Sequence, residues 1–255
     1  MKQISDSERQ ALKERTTKIF DRFTEYQAVL LDKHPELLER LNVFVDSSNK
    51  CQHVSHKLKH LIWIAVDSVC THLYDRGVRI HALFAWRDGA TEAEVLEAIA
   101  IATRLNLATY ENGIGIILEE TAAEGDAAPE PLEQNHGEEF ARGLASLGDE
   151  LWVQQSLRHS RHAFPAKVAL CTPPVSVLDE KSAALIALSV EACPAVLNQA
   201  GIRRQARRAV QLGATREELV EVLELAAGIG MHGLSVGVPI IQKASEEFAI
   251  TGGKQ

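Results

Sequence analysis

A histidine lies in the middle of a stretch that the chain carries twice. His81 belongs to GVRIHALFAWRDGAT, residues 77–91, and the related stretch GIRRQARRAVQLGAT, residues 201–215, has Gln205 at the same position. An imidazole with its ordinary pKa of about 6.5 accepts and donates protons near neutral pH, whereas an amide only forms hydrogen bonds. We therefore expect the first copy to keep a proton-transfer site and the second copy to keep the scaffold.

Further polar side chains lie close to His81 in the sequence. Tyr74 and His72 end an apolar segment, and a tyrosine hydroxyl can donate a hydrogen bond to a carbonyl or an enolate. Asp67 and Glu191 occupy matching places inside apolar segments, where a buried carboxylate needs a partner or a raised pKa. We predict Tyr74 as a catalytic residue and His72 and Asp67 as substrate-binding residues, with a structural ion pair as the alternative for the acids.

Three other clusters each have two explanations. The run CQHVSHKLKH, residues 51–60, spaces three histidines for one helix face, but the second copy has nothing comparable, so we predict no metal site. His232 lies among glycines and either faces a substrate cavity, our predicted role, or packs between helices. The second copy also carries a dense basic segment that is either a solvated face or an anion-binding patch: Arg203, Arg204, Arg207 and Arg208.

An internal repeat organises the chain. A shift of 124 positions aligns residues 57–117 with residues 181–241 without a gap, and 18 of the 61 pairs are identical. A gapless repeat of this length indicates duplication of a structural unit. We therefore predict a first module over residues 1–118 with its N-terminal helices, an acidic linker over 119–137, and a second module over 138–255.

Each copy is predicted to form three helices, which makes the fold all-α. The first helix covers about residues 54–74 or 179–198, and a short second helix ends at Gly89 or Gly213. Thr91 and Thr215 then begin capping boxes for a long third helix, over about 92–118 or 216–248. Ahead of the first copy we expect one helix over about 7–31 and another from Pro35.

Composition narrows the class of function. The net charge of -8 argues against nucleic-acid binding, which needs a basic face, but it permits small anionic substrates. The N-terminal residues show no secretory signal, and the apolar stretches are too short for a membrane span. Four scattered cysteines without a CxxC spacing are typical of reduced thiols. We expect a cytoplasmic protein without membrane or nucleic-acid partners.

The junction G-x-R-x-H-x7-GAT-x2-E, doubled in one chain, resembles the carboxymuconolactone decarboxylase and alkylhydroperoxidase D-like family. The resemblance implies two tandem alkylhydroperoxidase D-like helical modules. The peroxidase branch of that family carries CxxCxxxH and an earlier Glu. Those cysteine positions fall on Tyr74 and Gly77 here, and on Asn198 and Gly201 in the second copy. The Glu position falls on Ile62 or Ile186, so the resemblance implies no dithiol cycle.

The decarboxylase branch lacks the cysteine pair, and its junction resembles residues 81–91 through His81, Arg87 and the Gly and Thr that follow. The resemblance implies a lyase in which His81 moves a proton on a small lactone or organic acid and basic residues such as Arg87 hold a carboxylate. It also implies no metal or organic cofactor, and a homo-oligomer, with a trimer favoured. Two alternatives stay open: an antioxidant with a lone thiol, Cys70 or Cys193, and a non-catalytic helical assembly module.

Overall fold

The computed structural model describes residues 4–121, 137–173 and 175–251, and these contain helices and no strand. The helices are α1 Asp6–Phe20, α2 Glu25–Lys33, α3 Pro35–Lys50, α4 His56–Asp67, α5 Asp75–Arg87, α6 Glu92–Ala102, α7 Leu105–Glu120, α8 Gly137–Leu147, α9 Leu151–His159, α10 Ala163–Leu170, α11 Glu180–Ala192, α12 Gln199–Gln211, α13 Arg216–Ala227, a 3-10 turn Gly228–Met231, and α14 His232–Thr251. Most of the linker predicted over 119–137 lies outside the described residues.

Several predicted helices were too long. The helix expected over 7–31 is two helices, because Asp21 adopts a left-handed conformation with φ 56°. The long third helix breaks in both copies, after Ala102 and after Ala227. The first helix of the first copy ends at Asp67 rather than near Tyr74, because the chain turns back and the Tyr74 amide donates to the Asp67 carbonyl at 2.8 Å.

Contacts divide the chain into two compact units, residues 1–52 with 228–255 and residues 53–227. In the first unit, α14 packs against α2. Its core joins leucines of α1 to α3 with Leu234 and Val238 of α14. In the second unit, α7 packs against α9. Each unit thus combines the last helix of one sequence copy with helices that precede the other copy. The module boundaries drawn from the repeat stay a prediction.

The second unit is built around α4 and α11, the first helices of the two copies. Both are buried over most of their length: residues 64–67 of α4 and residues 184–190 of α11 are all buried. The two helices contact each other, and each also contacts the two helices that follow it in its own copy. A helix that is apolar on all sides belongs in such a core.

Local structure recurs between the copies at the same offset as the sequence. Both predicted capping boxes are confirmed: Glu94 and Thr91 exchange backbone-to-side-chain hydrogen bonds of 2.7 and 3.2 Å, and Glu218 and Thr215 do so at 2.8 and 3.1 Å. The glycines that end the preceding helices both have φ 86°. This left-handed conformation is costly for any residue with a Cβ, which explains the glycine at both positions.

Two glutamates link the copies reciprocally. The carboxylate of Glu97, on α6, accepts hydrogen bonds from the backbone amides of residues 177 and 178 at 2.7 and 2.9 Å, just ahead of α11. The carboxylate of Glu221, on α13, accepts from the amides of residues 53 and 54 at 2.8 and 3.0 Å, just ahead of α4. Each copy therefore holds the start of the other copy's central helix.

The two glutamates differ in one respect. Glu221 also pairs with Lys59 at 2.8 Å, and both side chains are only 2% exposed. The position matching Lys59 in the second copy is Ala183, and Glu97 accepts instead from the Ser176 hydroxyl at 2.8 Å. The pair around Glu221 is thus ionic and buried, whereas the Glu97 carboxylate binds neutral donors.

Among the described residues, one stretch, Arg216–Ile250, is long and apolar enough to span a membrane by length and composition alone. It is interrupted by the 3-10 turn and contains Pro239 in α14. Helices of protein cores pass the same test. The absence of a membrane span stays a prediction.

The buried carboxylates of Glu97 and Glu221 form a matched pair for mutation. Glu221→Gln should lower the free energy of unfolding by about 3 to 5 kcal/mol, because it leaves the buried Lys59 ammonium without this counter-charge. Glu97→Gln should cost about 1 to 3 kcal/mol, since it weakens hydrogen bonds to neutral donors only. Urea denaturation followed by circular dichroism measures both. Combining Glu221→Gln with Lys59→Met should recover most of the loss; equal losses for the two single variants would contradict an ionic role for Glu221.

Candidate functional site

The residue singled out by the repeat, His81, lies on α5 where that helix packs against α4. His60 projects from α4 and meets it: the Nδ1 atoms of the two imidazoles are 3.2 Å apart. On its other side, Nε2 of His60 lies 3.5 Å from the Asp88 carboxylate at the C-terminal cap of α5. Asp88, His60 and His81 therefore form a continuous row, which we call the histidine relay.

Burial and Asp88 together favour one arrangement of protons along the row. Burial lowers the pKa of His60 to about 4, so its ring is neutral at pH 7. With its proton on Nε2, which lies 3.5 Å from the Asp88 carboxylate, this ring accepts at Nδ1. His81 then donates from Nδ1 to His60, and Nε2 of a neutral His81 is a proton acceptor.

Aromatic rings hold the relay in place. The Trp63 ring lies 4.8 Å from the His81 ring, and the Phe84 ring lies 5.3 Å from that of His60. Trp63 is itself fixed, because its indole nitrogen donates to the Leu225 carbonyl of α13 at 3.3 Å. Such packing restricts both imidazoles to the orientation in which their Nδ1 atoms meet.

Arg87 lies beside Asp88, at the end of the relay opposite His81. Its guanidinium stands 4.5 Å from the centre of the Phe84 ring, and its Nε is 3.8 Å from Asp88. The side chain is 57% exposed. It is therefore close to the relay, and more than half of its side chain faces solvent.

The second copy has lost the relay as a whole. The positions that match the two histidines and the aspartate hold Ala184, Gln205 and Leu212, and Trp63 and Phe84 correspond to Ala187 and Arg208. Gln205 is only 2% exposed. The exchange of histidine for glutamine that the sequence shows is thus one part of a change at five positions.

A second polar group of the first copy surrounds Asp67. Its carboxylate is buried, and Nε2 of His72 lies 3.7 Å from it. The Tyr74 ring is 5.9 Å from that of His72. Burial raises the pKa of Asp67 to about 8 and lowers that of His72, so both groups are uncharged near pH 7. The structure thus brings Tyr74 together with His72 and Asp67.

The matching acid of the second copy is held differently. Glu191 accepts a hydrogen bond from the Asn198 amide at 2.9 Å and lies 3.5 Å from the Arg204 guanidinium. Both of these partners also bind Glu111 of α7. Burial raises the pKa of Glu191, and the hydrogen bond from Asn198 and the charge of Arg204 oppose this. In the first copy, Tyr74 and Ile80 stand in place of Asn198 and Arg204.

Five of the predicted residues fall into two groups. His81 and Arg87 lie at the relay, and Tyr74, His72 and Asp67 form the second group. His232 begins α14 in the other compact unit. The sequence analysis missed His60 and Asp88 as partners of His81. A signal was present, since the second copy replaces both with aliphatic residues at the positions where His81 becomes Gln205.

The cysteines offer little support for thiol chemistry. Cys193 is fully buried, and burial raises the pKa of its thiol to about 11, which disfavours the reactive thiolate. Burial also raises the pKa of Cys171. Cys70 is exposed in the turn between α4 and α5.

The two buried acids should respond to neutralisation with opposite signs. The native Asp67 carboxyl binds its proton more tightly than the unfolded one, so the fold loses stability as pH rises from about 4 to 8. Asp67→Asn removes this loss and should raise the melting temperature at pH 8.5 by about 3 °C or more. The gain in melting temperature relative to wild type should vanish by about pH 4. Glu191→Gln should lower the melting temperature at neutral pH, since it removes an acceptor from Asn198 and Arg204. Differential scanning calorimetry across pH tests both; a destabilising Asp67→Asn at pH 8.5 would show that its carboxylate is compensated.

Comparison with known proteins places the fold. No protein-family model and no curated protein matches the sequence. A solved structure from Burkholderia xenovorans, provisionally described as a gamma-carboxymuconolactone decarboxylase subunit, matches with a TM-score of 0.82. The two sequences are 24% identical, and the match covers 94% of this chain and 98% of the other. The all-α, carboxymuconolactone-decarboxylase-like fold predicted from the junction motif is thereby confirmed.

Proposed function

We propose that the protein is a carboxymuconolactone decarboxylase-like lyase that acts on a small lactone or organic acid, with His81 as proton donor and acceptor. The observation that carries this proposal is the directed contact of 3.2 Å between His81 and His60, backed by Asp88. An imidazole held in one tautomer by a second hydrogen-bonding group is how a histidine is prepared for proton transfer. The shared fold is consistent with the same reaction class.

The reaction needs one proton and an electron sink within the substrate. Arg87 binds the substrate carboxylate beside the relay. The bond from that carboxylate to carbon breaks, carbon dioxide leaves, and the bonding pair moves into a conjugated carbonyl to give a dienolate. The His81 imidazolium delivers its Nε2 proton to carbon and becomes neutral, and it regains a proton from solvent before the next turnover.

His60 and Asp88 act as positioning residues in this scheme. A protonated His81 keeps donating from Nδ1 to the neutral His60, and the Asp88 carboxylate at the far end of the relay favours the positive charge electrostatically. The geometry favours these two residues over Tyr74 as partners of His81. We assign Tyr74, with His72 and Asp67, to a separate polar group of the first copy. A role for His232 at the substrate stays a prediction.

The assembly of several copies belongs to the proposal as well. Leu83 and Trp86, on α5 near the relay, are 44% and 47% exposed. Association of copies would cover such side chains, since large apolar groups gain free energy when removed from water. The trimer and the cytoplasmic location stay predictions.

The proposal is tested with matched variants at the two repeat positions. Wild-type protein should release carbon dioxide from γ-carboxymuconolactone or a related lactone acid, and His81→Ala should lower kcat by about 10²- to 10⁴-fold, the usual contribution of a general acid or base. Gln205→Ala, at the matching position of the second copy, should keep wild-type turnover. A wild-type protein that releases no carbon dioxide from any such acid would remove the proposal.

The relay itself has a pH signature. His60 stays neutral in the fold down to about pH 4 but protonates near its ordinary pKa of 6.5 when unfolded, so stability contributed by the neutral ring is lost as pH falls between these values. His60→Gln removes this effect, and its melting temperature should fall less steeply than that of wild type from pH 6.5 to 4. The same variant, and Asp88→Asn, should lower kcat about tenfold or more. Parallel melting curves together with unchanged kcat would show that His60 has no role in the relay.

A further inference from the structure

A cleft of about 730 Å³ opens between α7 of the first copy and the start of α12 of the second, and the proposed reaction makes no use of it. Its walls come from two sides: α7, and the turn leading into α12 with the first turns of that helix. The lining residues are Ala108, Asn112, Val196, Leu197, Asn198, Gln199, Ala200 and Arg203.

The floor of the cleft is closed by hydrogen bonds and ion pairs. Asn198 is 7% exposed, and its amide donates to Glu111 at 2.8 Å and to Glu191 at 2.9 Å. Arg204 pairs with the same two carboxylates. Glu111 and Glu191, beneath the cleft, are therefore already bound by Asn198 and Arg204. They do not face the cleft as ligands for a cation.

The wall of the cleft is positive. Its lining, within the described part of the chain, contains one charged side chain, Arg203, and no acid. Arg203 is exposed, and among the described residues it makes no ion pair; the same holds for Arg207, one helical turn further along α12. Two like charges four residues apart on a helix repel each other, and a bound anion relieves that repulsion.

The matching arginine of the first copy has a different charged neighbour. Arg79 matches Arg203, but the first copy has Asp75 one turn before it, whereas the second copy has the uncharged Gln199. An amide thus replaces an acid one turn before the arginine of the second copy, which favours hydrogen bonding to an anion.

We propose that this cleft is a second ligand site, for a small organic carboxylate, and that it is separate from the histidine relay. Arg203 binds the carboxylate, and Gln199 donates a hydrogen bond to it or to a neighbouring carbonyl. Val196, Leu197 and the two alanines cover the apolar part of the ligand, which a purely inorganic anion would leave unused. The site depends on the second copy and would give that copy a ligand-binding role although its relay residues are gone.

Isothermal titration calorimetry with benzoate tests the site, because benzoate combines one carboxylate with a small apolar body. Wild-type protein should bind benzoate more tightly than uncharged benzamide and more tightly than inorganic phosphate. Arg203→Gln should weaken benzoate binding about tenfold, the usual cost of a lost charged hydrogen bond. Arg79→Gln, the matched change in the first copy, should leave the affinity unchanged.

Two further variants separate this site from the relay. Ala108→Trp, which fills the cleft from α7, should abolish benzoate binding, while His81→Ala, which disables the proposed reaction, should leave it intact. Retained binding in both Arg203→Gln and Ala108→Trp would overturn the proposal, as would loss of binding in His81→Ala alone. Equal affinity for phosphate and benzoate would also overturn it, because it would reduce the site to a general anion patch on α12.

Discussion

The two buried carboxylates that reach between the copies fix the segments that lead into the two central helices of the second unit. The backbone amides that precede the N-caps of α4 and α11 have no acceptor within those helices, and Glu221 and Glu97 supply one from the other copy. This exchange fixes the position of α4, and hence of His60 and Trp63. Trp63 is held further by the Leu225 carbonyl of α13. The histidine relay of the first copy therefore depends on a helix of the second copy, which has no relay residues of its own.

The two copies stabilise a buried carboxyl group at matching positions in different ways. A carboxylate buried near the end of the central helix must either keep its proton or find a cation. Asp67 has a pKa of about 8 and therefore keeps its proton at neutral pH, with His72 and Tyr74 nearby. Glu191 is bound by Asn198 and Arg204. The difference follows from two substitutions at matching positions, and it gives one copy an uncharged acid and the other an ion-paired floor.

The sequence predicted the class of fold and the importance of His81, because glycines, capping boxes and the GAT junction recur at fixed spacing. It did not predict the partners of His81. His60 lies 21 residues away on another helix, and in the sequence it is one member of a histidine run. Only the packing of α5 against α4 shows that its ring faces His81. The helix breaks at Asp21 and after Ala102 were not predicted, because the apolar periodicity continues across both. Neither break contains the glycine or proline that usually marks a helix end.

The same packing explains why the dithiol pattern cannot simply be restored in this chain. The second cysteine position of that pattern falls on Gly77, and a Cβ there would overlap the Asp67 carboxylate. At Gly201, a Cβ would overlap Glu191 in the same way. Both copies have therefore filled with a buried acid the space that a thiol side chain would need. Because α5 and α12 approach the central helices this closely, a return to thiol chemistry would require replacing the acid and the glycine together, whereas proton transfer by His81 needs neither change.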